Sequence, residues 1–220
     1  LPILFIPGVK NGLPDINMEN FAVMDIMRGE EVESIAIMDH FPKDKPYLLV
    51  LPGSHTKFVS VDKEGKMTGC LTTITGELLA PITNDTIIAD AVGRQFVNEA
   101  DYDREMMLKG FVTSRDTGIG HACFSARILN MFVEKDKMKL ANYILGVALQ
   151  NDITAIKNSK ALETDQNTTV IVSGKNPLRQ AIIDILIYDG YFADVEEFVP
   201  DNKLPLSAAG AYLVADAMNR

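Results

Sequence analysis

The feature that most constrains the fold is a run of three short strand-like segments joined by two short polar connections. The segments are Tyr47–Leu51, Lys57–Asp62 and Met67–Thr73, and the second connection is a tight turn at Lys63–Lys66. Segments of this length, rich in apolar and β-branched residues and bounded by turn residues, are typical of strands. Connections this short can join only antiparallel neighbours, because a parallel pair needs a long crossover. The sequence therefore predicts a three-stranded antiparallel meander.

The connection between the first two strands carries residue types that bind phosphate. Small residues let backbone N–H groups approach an anion, hydroxyl groups add donors, and a lysine adds charge. A second donor turn follows the third strand at a helix start, where N–H groups also point outward. The residues predicted to form this phosphate clamp are Gly53, Ser54, His55, Thr56, Lys57, Thr75, Gly76 and Glu77. From turn chemistry alone, an ordinary hairpin turn and a helix start capped by Thr75 are alternatives.

Composition and charge exclude several classes of protein. The net charge of −9 argues against a nucleic-acid surface, because phosphate backbones select basic patches. There is no apolar run of membrane-spanning length and no signal-peptide pattern. The two cysteines, Cys70 and Cys123, suggest a reducing, cytoplasmic location rather than a disulfide framework. The three histidines lack the spacing of metal ligands, so no metal site is predicted on the protein.

Downstream of the meander, the apolar spacing predicts helices and two further strands. The predicted helices are Glu77–Ala91 (bent at Pro81 and extended through Gly93–Ala100), Cys123–Val133, Lys137–Lys157, Leu178–Tyr188 and Ser207–Met218. Residues 101–110 are predicted as a loop or a helix, 114–120 as a polar turn and 158–167 as a linker, and Gly146 is expected where two helices cross closely. The predicted later strands are Thr168–Val172 and Tyr191–Phe198, and residues 1–6 read as a further short strand before a loop at Pro7–Asn17.

This element order predicts an α/β fold with a mixed sheet. Three antiparallel strands followed by two parallel α/β crossovers describe a ribonuclease-H-like domain. That domain is the half-domain of the actin-like ATPase and sugar-kinase group, in which two halves face each other across a nucleotide cleft.

Four motifs in order resemble those of the 2-dehydro-3-deoxygalactonokinases, a sugar-kinase family. They are Asp25–Glu31 (DIMRGEE), Pro52–Phe58 (PGSHTKF), Thr75–Glu77 (TGE) and the strand end at Ser173-Gly174. The resemblance covers most of the chain, from about Ile3 to the end. It implies an ATP-dependent kinase that uses Mg²⁺ and phosphorylates the terminal hydroxyl of 2-dehydro-3-deoxygalactonate, giving the 6-phosphate. The implied partners are ATP and this sugar acid, and a homo-oligomer is left open.

The resemblance also suggests roles for residues outside the clamp. Asp25 lies where sugar kinases place the general base that deprotonates the attacking hydroxyl; its alternative is a helix cap. Arg28 and Glu30 are expected to bind substrate, Arg28 through a carboxylate or phosphate oxygen; the alternative for Arg28 is an ion pair with Glu30 or Glu31. Ser173, Gly174 and Asn176 are expected to bind the nucleotide, although related kinases often carry a Gly-Gly pair at the adenosine.

The resemblance further predicts how the chain is divided. Residues 1–46 are interpreted as a remnant of an N-terminal half with the interdomain connection, and residues 47–220 as the C-terminal nucleotide-binding domain. Nothing in the chain matches the Asp-Trp-Gly-Thr-Thr-like phosphate loop of the family's N-terminal half, so that half is expected to be missing. The alternative functions are a non-catalytic actin-like module that binds nucleotide or sugar, and a kinase for another small sugar.

Overall fold

The computed structural model describes residues 3, 5–201 and 204–219, which form a mixed α/β fold. Its strands are β1 (Val9–Lys10), β2 (Ile26–Met27), β3 (Tyr47–Leu51), β4 (Thr56–Val61), β5 (Met67–Thr73), β6 (Thr169–Val172) and β7 (Asp194–Glu197). Its α-helices are α1 (Glu30–Met38), α2 (Thr75–Asn84), α3 (Arg104–Thr117), α4 (Ile119–Phe132), α5 (Lys137–Asn158), α6 (Leu178–Asp189) and α7 (Leu206–Met218). None of these helices is both long enough and apolar enough to cross a membrane.

The main sheet has five strands in the order β5-β4-β3-β6-β7. β3 pairs antiparallel with β4, and β4 pairs antiparallel with β5, which forms the meander expected from the sequence. β6 lies parallel to β3 on its other side, and β7 lies parallel to β6. Because β3 and β6 are parallel neighbours, the loops that follow them emerge at the same edge of the sheet. β1 and β2 form a separate antiparallel pair.

Alternation along the strands gives the sheet two buried faces, because successive side chains point to opposite sides. Leu48 and Val50 lie in the larger core, together with apolar residues of α2, α3, α4, α5 and α6. Leu49 and Ile171 lie in the smaller core on the other face, with residues of α1 and with Leu206 of α7 packed against it. The sheet is therefore buried between two helical layers.

Several predicted boundaries are wrong, for local reasons. α2 ends at Asn84 rather than Ala91, and the residues that follow it are turns. Residues 93–100 do not continue the helix; they lead into a short 3₁₀ turn at Glu99–Asp101. Residues 114–120 are not a polar turn, because α3 and α4 are separated only by Gly118, whose φ of +79° breaks the helix. Glycine adopts this left-handed backbone without a side-chain clash.

The beginning of the chain also differs from the prediction. Residues 3 and 5–8 are not in a strand, and the first strand is Val9–Lys10; the rest of the predicted strand, residues 1, 2 and 4, lies outside the described residues. Helix α1 was not predicted, because its acidic start and its short length hide its apolar periodicity. By contrast, the close helix crossing at Gly146 is confirmed, since a Cβ there would lie 1.8 Å from the carbonyl oxygen of Met107 in α3.

Candidate active site

Two loops that the sequence associates with nucleotide binding meet at the carboxyl ends of the parallel strands β3 and β6. The loop after β3 contributes Gly53 and His55, and the turn after β6 contributes Ser173, Gly174 and Asn176. Together with residues of α1 they line a cavity of about 660 Å³, here called the large cavity. Cavities of this size hold small ligands, and the carboxyl end of parallel strands is where α/β sheets commonly bind them. The parallel pairing of β3 with β6 thus brings together residues more than a hundred positions apart in the sequence.

A second cavity adjoins the large cavity. It has a volume of about 410 Å³, is lined by residues of β1, β2 and β4, and is here called the small cavity. Glu30 and His55 line both cavities, which makes them parts of one cleft. Lys57 and Arg28 line only the small cavity.

The phosphate-loop backbone packs tightly against the start of α2. The N–H group of Glu77 donates to the carbonyl oxygen of Ser54 at 2.8 Å, so this donor already has a partner within the protein. A Cβ at Gly76 would lie 2.0 Å from the carbonyl oxygen of Gly53, so only glycine fits without a shift. The side chains of His55 and Glu77 are both exposed and pair at 2.9 Å between His55 Nε2 and Glu77 Oε2. Ser54 is exposed on the same loop.

Beneath this loop lies a buried carboxylate that the sequence reasoning missed. The Thr75 hydroxyl donates to Asp152 Oδ1 at 2.5 Å, so Thr75 is not a helix cap; the cap position is Ile74. Asp152 is 1% exposed, and burial raises the pKa of its carboxyl because it disfavours the charged form, while the hydrogen bond from the Thr75 hydroxyl lowers it. An aspartate within an otherwise apolar helix stretch (ILGVALQNDITAI) was the available signal.

Asp25 is held by the edge strand of the sheet rather than by a helix. Its carboxylate accepts hydrogen bonds from the Thr72 N–H at 2.6 Å, the Thr72 hydroxyl at 2.6 Å and the Ile26 N–H at 2.7 Å. The ammonium group of Lys57 lies 3.8 Å from Asp25 Oδ1 and donates to Thr72 Oγ1 at 2.5 Å and to the carbonyl oxygen of Ile26 at 2.6 Å. The alternative role as a helix cap is not realised, because α1 begins after Gly29. Thr72, which links the two charged groups, was also missed.

The acidic residues after Arg28 accept hydrogen bonds from backbone N–H groups just before α1. Glu30 Oε2 accepts the N–H of Arg28 at 3.0 Å, and Glu31 Oε2 accepts the N–H of Gly29 at 2.6 Å. Acidic side chains at a helix start also complement its dipole. Among the described residues, no carboxylate lies within ion-pair distance of the Arg28 guanidinium, so the alternative ion pair does not form. Burial, together with the neighbouring Glu30 and Glu31 charges, raises the pKa of Glu33.

The turn after β6 places polar groups on the large cavity. Ser173 is buried and its N–H donates to the Val50 carbonyl oxygen at 3.0 Å, which extends the pairing of β3 and β6. Gly174 has a φ of +116° and lies beside Pro52. Asn176 donates to Glu99 Oε1 at 2.8 Å, while its own Oδ1 has no hydrogen-bond partner among the described residues. An unpartnered acceptor at a cavity wall is a place where a ligand donor could bind.

Comparison with known proteins identifies a similar fold and a family. A crystal structure from Sinorhizobium meliloti, of a candidate 2-dehydro-3-deoxygalactonokinase, superposes with a TM-score of 0.73 over 95% of this chain and 69% of that one, at 20% identity. At this identity the likeness shows the fold. No match was found among curated proteins.

A family model matches residues 2–196 and identifies the class of the protein. The family consists of kinases, so the chain is a phosphotransferase of carbohydrate metabolism. It belongs to the 2-keto-3-deoxy-galactonokinase family, which confirms the resemblance carried by the four motifs.

Proposed function

We propose that the protein transfers the γ-phosphoryl group of ATP to the terminal hydroxyl of 2-dehydro-3-deoxygalactonate, giving the 6-phosphate and ADP. The observation that carries this proposal is the single cleft formed by the two cavities, which share Glu30 and His55. Five of the eleven residues predicted to bind phosphate or nucleotide line the large cavity: Gly53, His55, Ser173, Gly174 and Asn176. Lys57, the ion-pair partner of Asp25, lines the small cavity. The family membership supports the reaction class.

In the proposed reaction Asp25 orients the terminal hydroxyl and accepts its proton. The hydroxyl oxygen forms a bond to the γ-phosphorus as the bond to the bridging oxygen of ADP breaks, and ADP leaves with that electron pair. Phosphoryl transfer depends chiefly on positioning and charge stabilisation, so an anchored carboxylate suits this step. Arg28, exposed at the small cavity, is proposed to bind the substrate carboxylate, and Glu30 is proposed to contact the substrate from the position that the cavities share.

The charges around the large cavity favour ATP bound together with Mg²⁺. Three carboxylates line this cavity (Glu30, Glu33 and Glu99), against two cationic side chains (Lys175 and Arg179), of which Arg179 already pairs with Glu197 at 2.7 Å. A bare polyphosphate would meet excess negative charge there. The described residues include no group of three or more His, Cys, Asp or Glu side chains suited to hold a metal ion. Glu30, at the position that the two cavities share, would contact the Mg²⁺ ion as well as the substrate, and the bound ion would neutralise phosphate charge.

The proposal includes the finer architecture. We propose a ribonuclease-H-like nucleotide-binding domain over residues 47–220, supported by the strand order β5-β4-β3-β6-β7 and the pairing directions. In this proposal the preceding residues 1–46 supply Arg28 and Glu30, which line the small cavity, and Asp25, whose ion-pair partner Lys57 also lines it. The free cysteines Cys70 and Cys123 support a reducing, cytoplasmic location.

The test is sugar-acid-dependent ADP release by the full natural chain and its Asp25→Asn variant. We expect wild-type turnover on 2-dehydro-3-deoxygalactonate, and a loss of about 10²–10⁴-fold in kcat for Asp25→Asn with Mg·ATP binding retained, because the general base is removed. Asp44→Asn, at an exposed position before β3, is the matched control and should retain full activity.

Other outcomes of this experiment separate the alternatives. ATP binding without sugar-dependent ADP release, across a panel of sugar acids, would contradict the kinase reaction in favour of a non-catalytic module. Turnover on a different sugar only would contradict the substrate. Full turnover by Asp25→Asn would remove Asp25 from the mechanism.

A further inference from the structure

We propose that Lys57 is a positioning residue that acts on Asp25 through the Thr72 hydroxyl and thereby selects Asp25 Oδ2 as the oxygen that receives the substrate proton. This inference rests on the proposed function, in which Asp25 is the base. It assigns to Lys57 a role other than the phosphate contact expected from the loop motif.

The pairing of strands explains why these groups meet. Lys57 in β4 and Thr72 in β5 are direct partners in the antiparallel register, so their side chains lie on the same face of the sheet. The β2 segment lies against β5 at this position, which brings Asp25 and the Ile26 carbonyl oxygen next to Thr72. The arrangement therefore joins the segment before the sheet to its edge strand.

The direction of the hydrogen bonds follows from the chemistry of lysine. An ammonium group has three donors and no acceptor, so Thr72 Oγ1 must accept in its 2.5 Å contact with Lys57 Nζ. A hydroxyl has a single hydrogen, and the 2.6 Å contact to Asp25 Oδ1 is where Thr72 then donates it. Lys57 thus fixes the orientation of the Thr72 hydroxyl towards Asp25.

The consequence is an asymmetric carboxylate. Oδ1 of Asp25 accepts from the Ile26 N–H and the Thr72 hydroxyl and lies 3.8 Å from the Lys57 ammonium group. Oδ2 accepts only the Thr72 N–H among the described groups. Each carboxylate oxygen offers about two lone-pair sites, so Oδ1 is filled and Oδ2 keeps one site. The Asp25 side chain is 14% exposed, and in the proposed reaction the substrate hydroxyl takes the remaining Oδ2 site.

Lys57 is poorly placed to serve phosphate at the same time. Its side chain is 8% exposed, and its ammonium group already donates to the Ile26 carbonyl oxygen and to Thr72 while facing Asp25. Moving it to an anion would leave Thr72 and Asp25, which are both half-buried, without their partner, which is costly.

The test uses Thr72→Val, Thr72→Ser and Lys57→Met in the full natural chain. Thr72→Val keeps the shape and the N–H donor but loses the hydroxyl, and Thr72→Ser restores it. We expect kcat to fall about 10–100-fold in Thr72→Val and Lys57→Met, with KM for ATP within about threefold of wild type and recovery in Thr72→Ser. Because the effect passes through Asp25, Thr72→Val should cause no further loss when combined with Asp25→Asn.

The outcomes that overturn the inference are distinct from failure of the proposed function. Wild-type kcat in Thr72→Val, an added loss in the double variant, or a raised KM for ATP with unchanged kcat in Lys57→Met would overturn the positioning role alone. A wild-type protein without sugar-dependent ADP release would overturn the proposed function, and with it the base that Lys57 positions. Thermal unfolding checks that each variant folds. If Thr72→Val does not fold, Lys57→Met independently tests whether kcat falls while KM for ATP is unchanged.

Discussion

At the scale of single residues, the candidate site depends on the close approach of two backbones at Gly76. The loop carbonyl groups of Gly53 and Ser54 turn towards the start of α2, and the second accepts the N–H of Glu77. A side chain at position 76 would separate them. The glycine of the TGE motif therefore has a packing role in addition to the backbone donation that the motif suggests.

Gly76→Ala is expected to destabilise the protein by about 1–3 kcal/mol and to weaken Mg·ATP binding, because the new Cβ would overlap the Gly53 carbonyl oxygen at 2.0 Å. Urea unfolding and calorimetric titration measure the two effects. Gly120→Ala in α4 is the matched control: nothing lies within 4 Å of its Cβ, so its unfolding free energy should stay within about 1 kcal/mol of wild type or rise. Equal behaviour of the two variants would contradict the packing role.

At the scale of elements, α5 fixes the position of α2 through a buried polar contact. The Asp152 carboxylate of α5 accepts the Thr75 hydroxyl at the first turn of α2, while Asp152 Oδ2 and Thr73 Oγ1 have no hydrogen-bond partner among the described residues. A partly satisfied buried carboxylate is costly to ionise. The loop above it is thus held by a contact whose stability depends on pH.

Asp152→Asn is expected to gain stability relative to wild type as the pH rises. Burial raises the pKa of Asp152 in the folded state, so its stabilising contribution is full below the unfolded pKa of about 3.9 and is lost as pH rises through the folded value. The amide cannot ionise and keeps an oxygen for Thr75. Urea unfolding at pH 4 and pH 8 measures the free energy of unfolding of both proteins. The value for the variant minus the value for wild type should be larger at pH 8 than at pH 4. The same difference at both pH values would refute the assignment, and Asp44→Asn provides the exposed control.

The elements that the sequence predicted well are those with strong local patterns. Strands β3 and β5 and helix α5 have the expected positions because short strand-forming runs bounded by turn residues, and apolar residues at helical spacing, are local patterns. The α3–α4 junction was missed, since a single glycine conformation at Gly118 separates two helices inside polar sequence. Within the site, the loops were recognisable as motifs, whereas the Asp25–Thr72–Lys57 contacts depend on strand register and the Thr75–Asp152 contact on helix packing, and neither can be read from local sequence.

At the scale of the whole molecule, the site depends on the helical layer behind it. Helix α1, which carries Glu30, lies on the face of the sheet that has the smaller core, and it packs against α7. A Cβ at Gly210 of α7 would lie 1.8 Å from the carbonyl oxygen of Val32 in α1. The family match ends at residue 196, so this helix lies beyond it and still supports a cleft element.

Gly210→Leu is expected to separate α7 from α1, lower the unfolding free energy by about 1–3 kcal/mol and speed amide hydrogen exchange in α1 more than in α5. Exchange mass spectrometry with urea unfolding measures both effects. Ala208→Leu, at an exposed position of the same helix, should leave α1 exchange unchanged. Uniform acceleration across both helices would argue that α7 has no special effect on α1.

The segment before α1 also determines where the main sheet ends. The side chain of Asn11 accepts the N–H of Cys70 at 2.9 Å and donates to the Cys70 carbonyl oxygen at 2.9 Å. One side-chain amide thus supplies the acceptor and the donor that the backbone of a neighbouring strand would supply. An open strand edge is a template on which further chains can add. In this protein the Asn11 amide occupies that template at Cys70, and the Asp25 carboxylate accepts the Thr72 N–H two residues further along β5. The segment before α1 therefore takes the place that a further strand would need in order to pair with this edge.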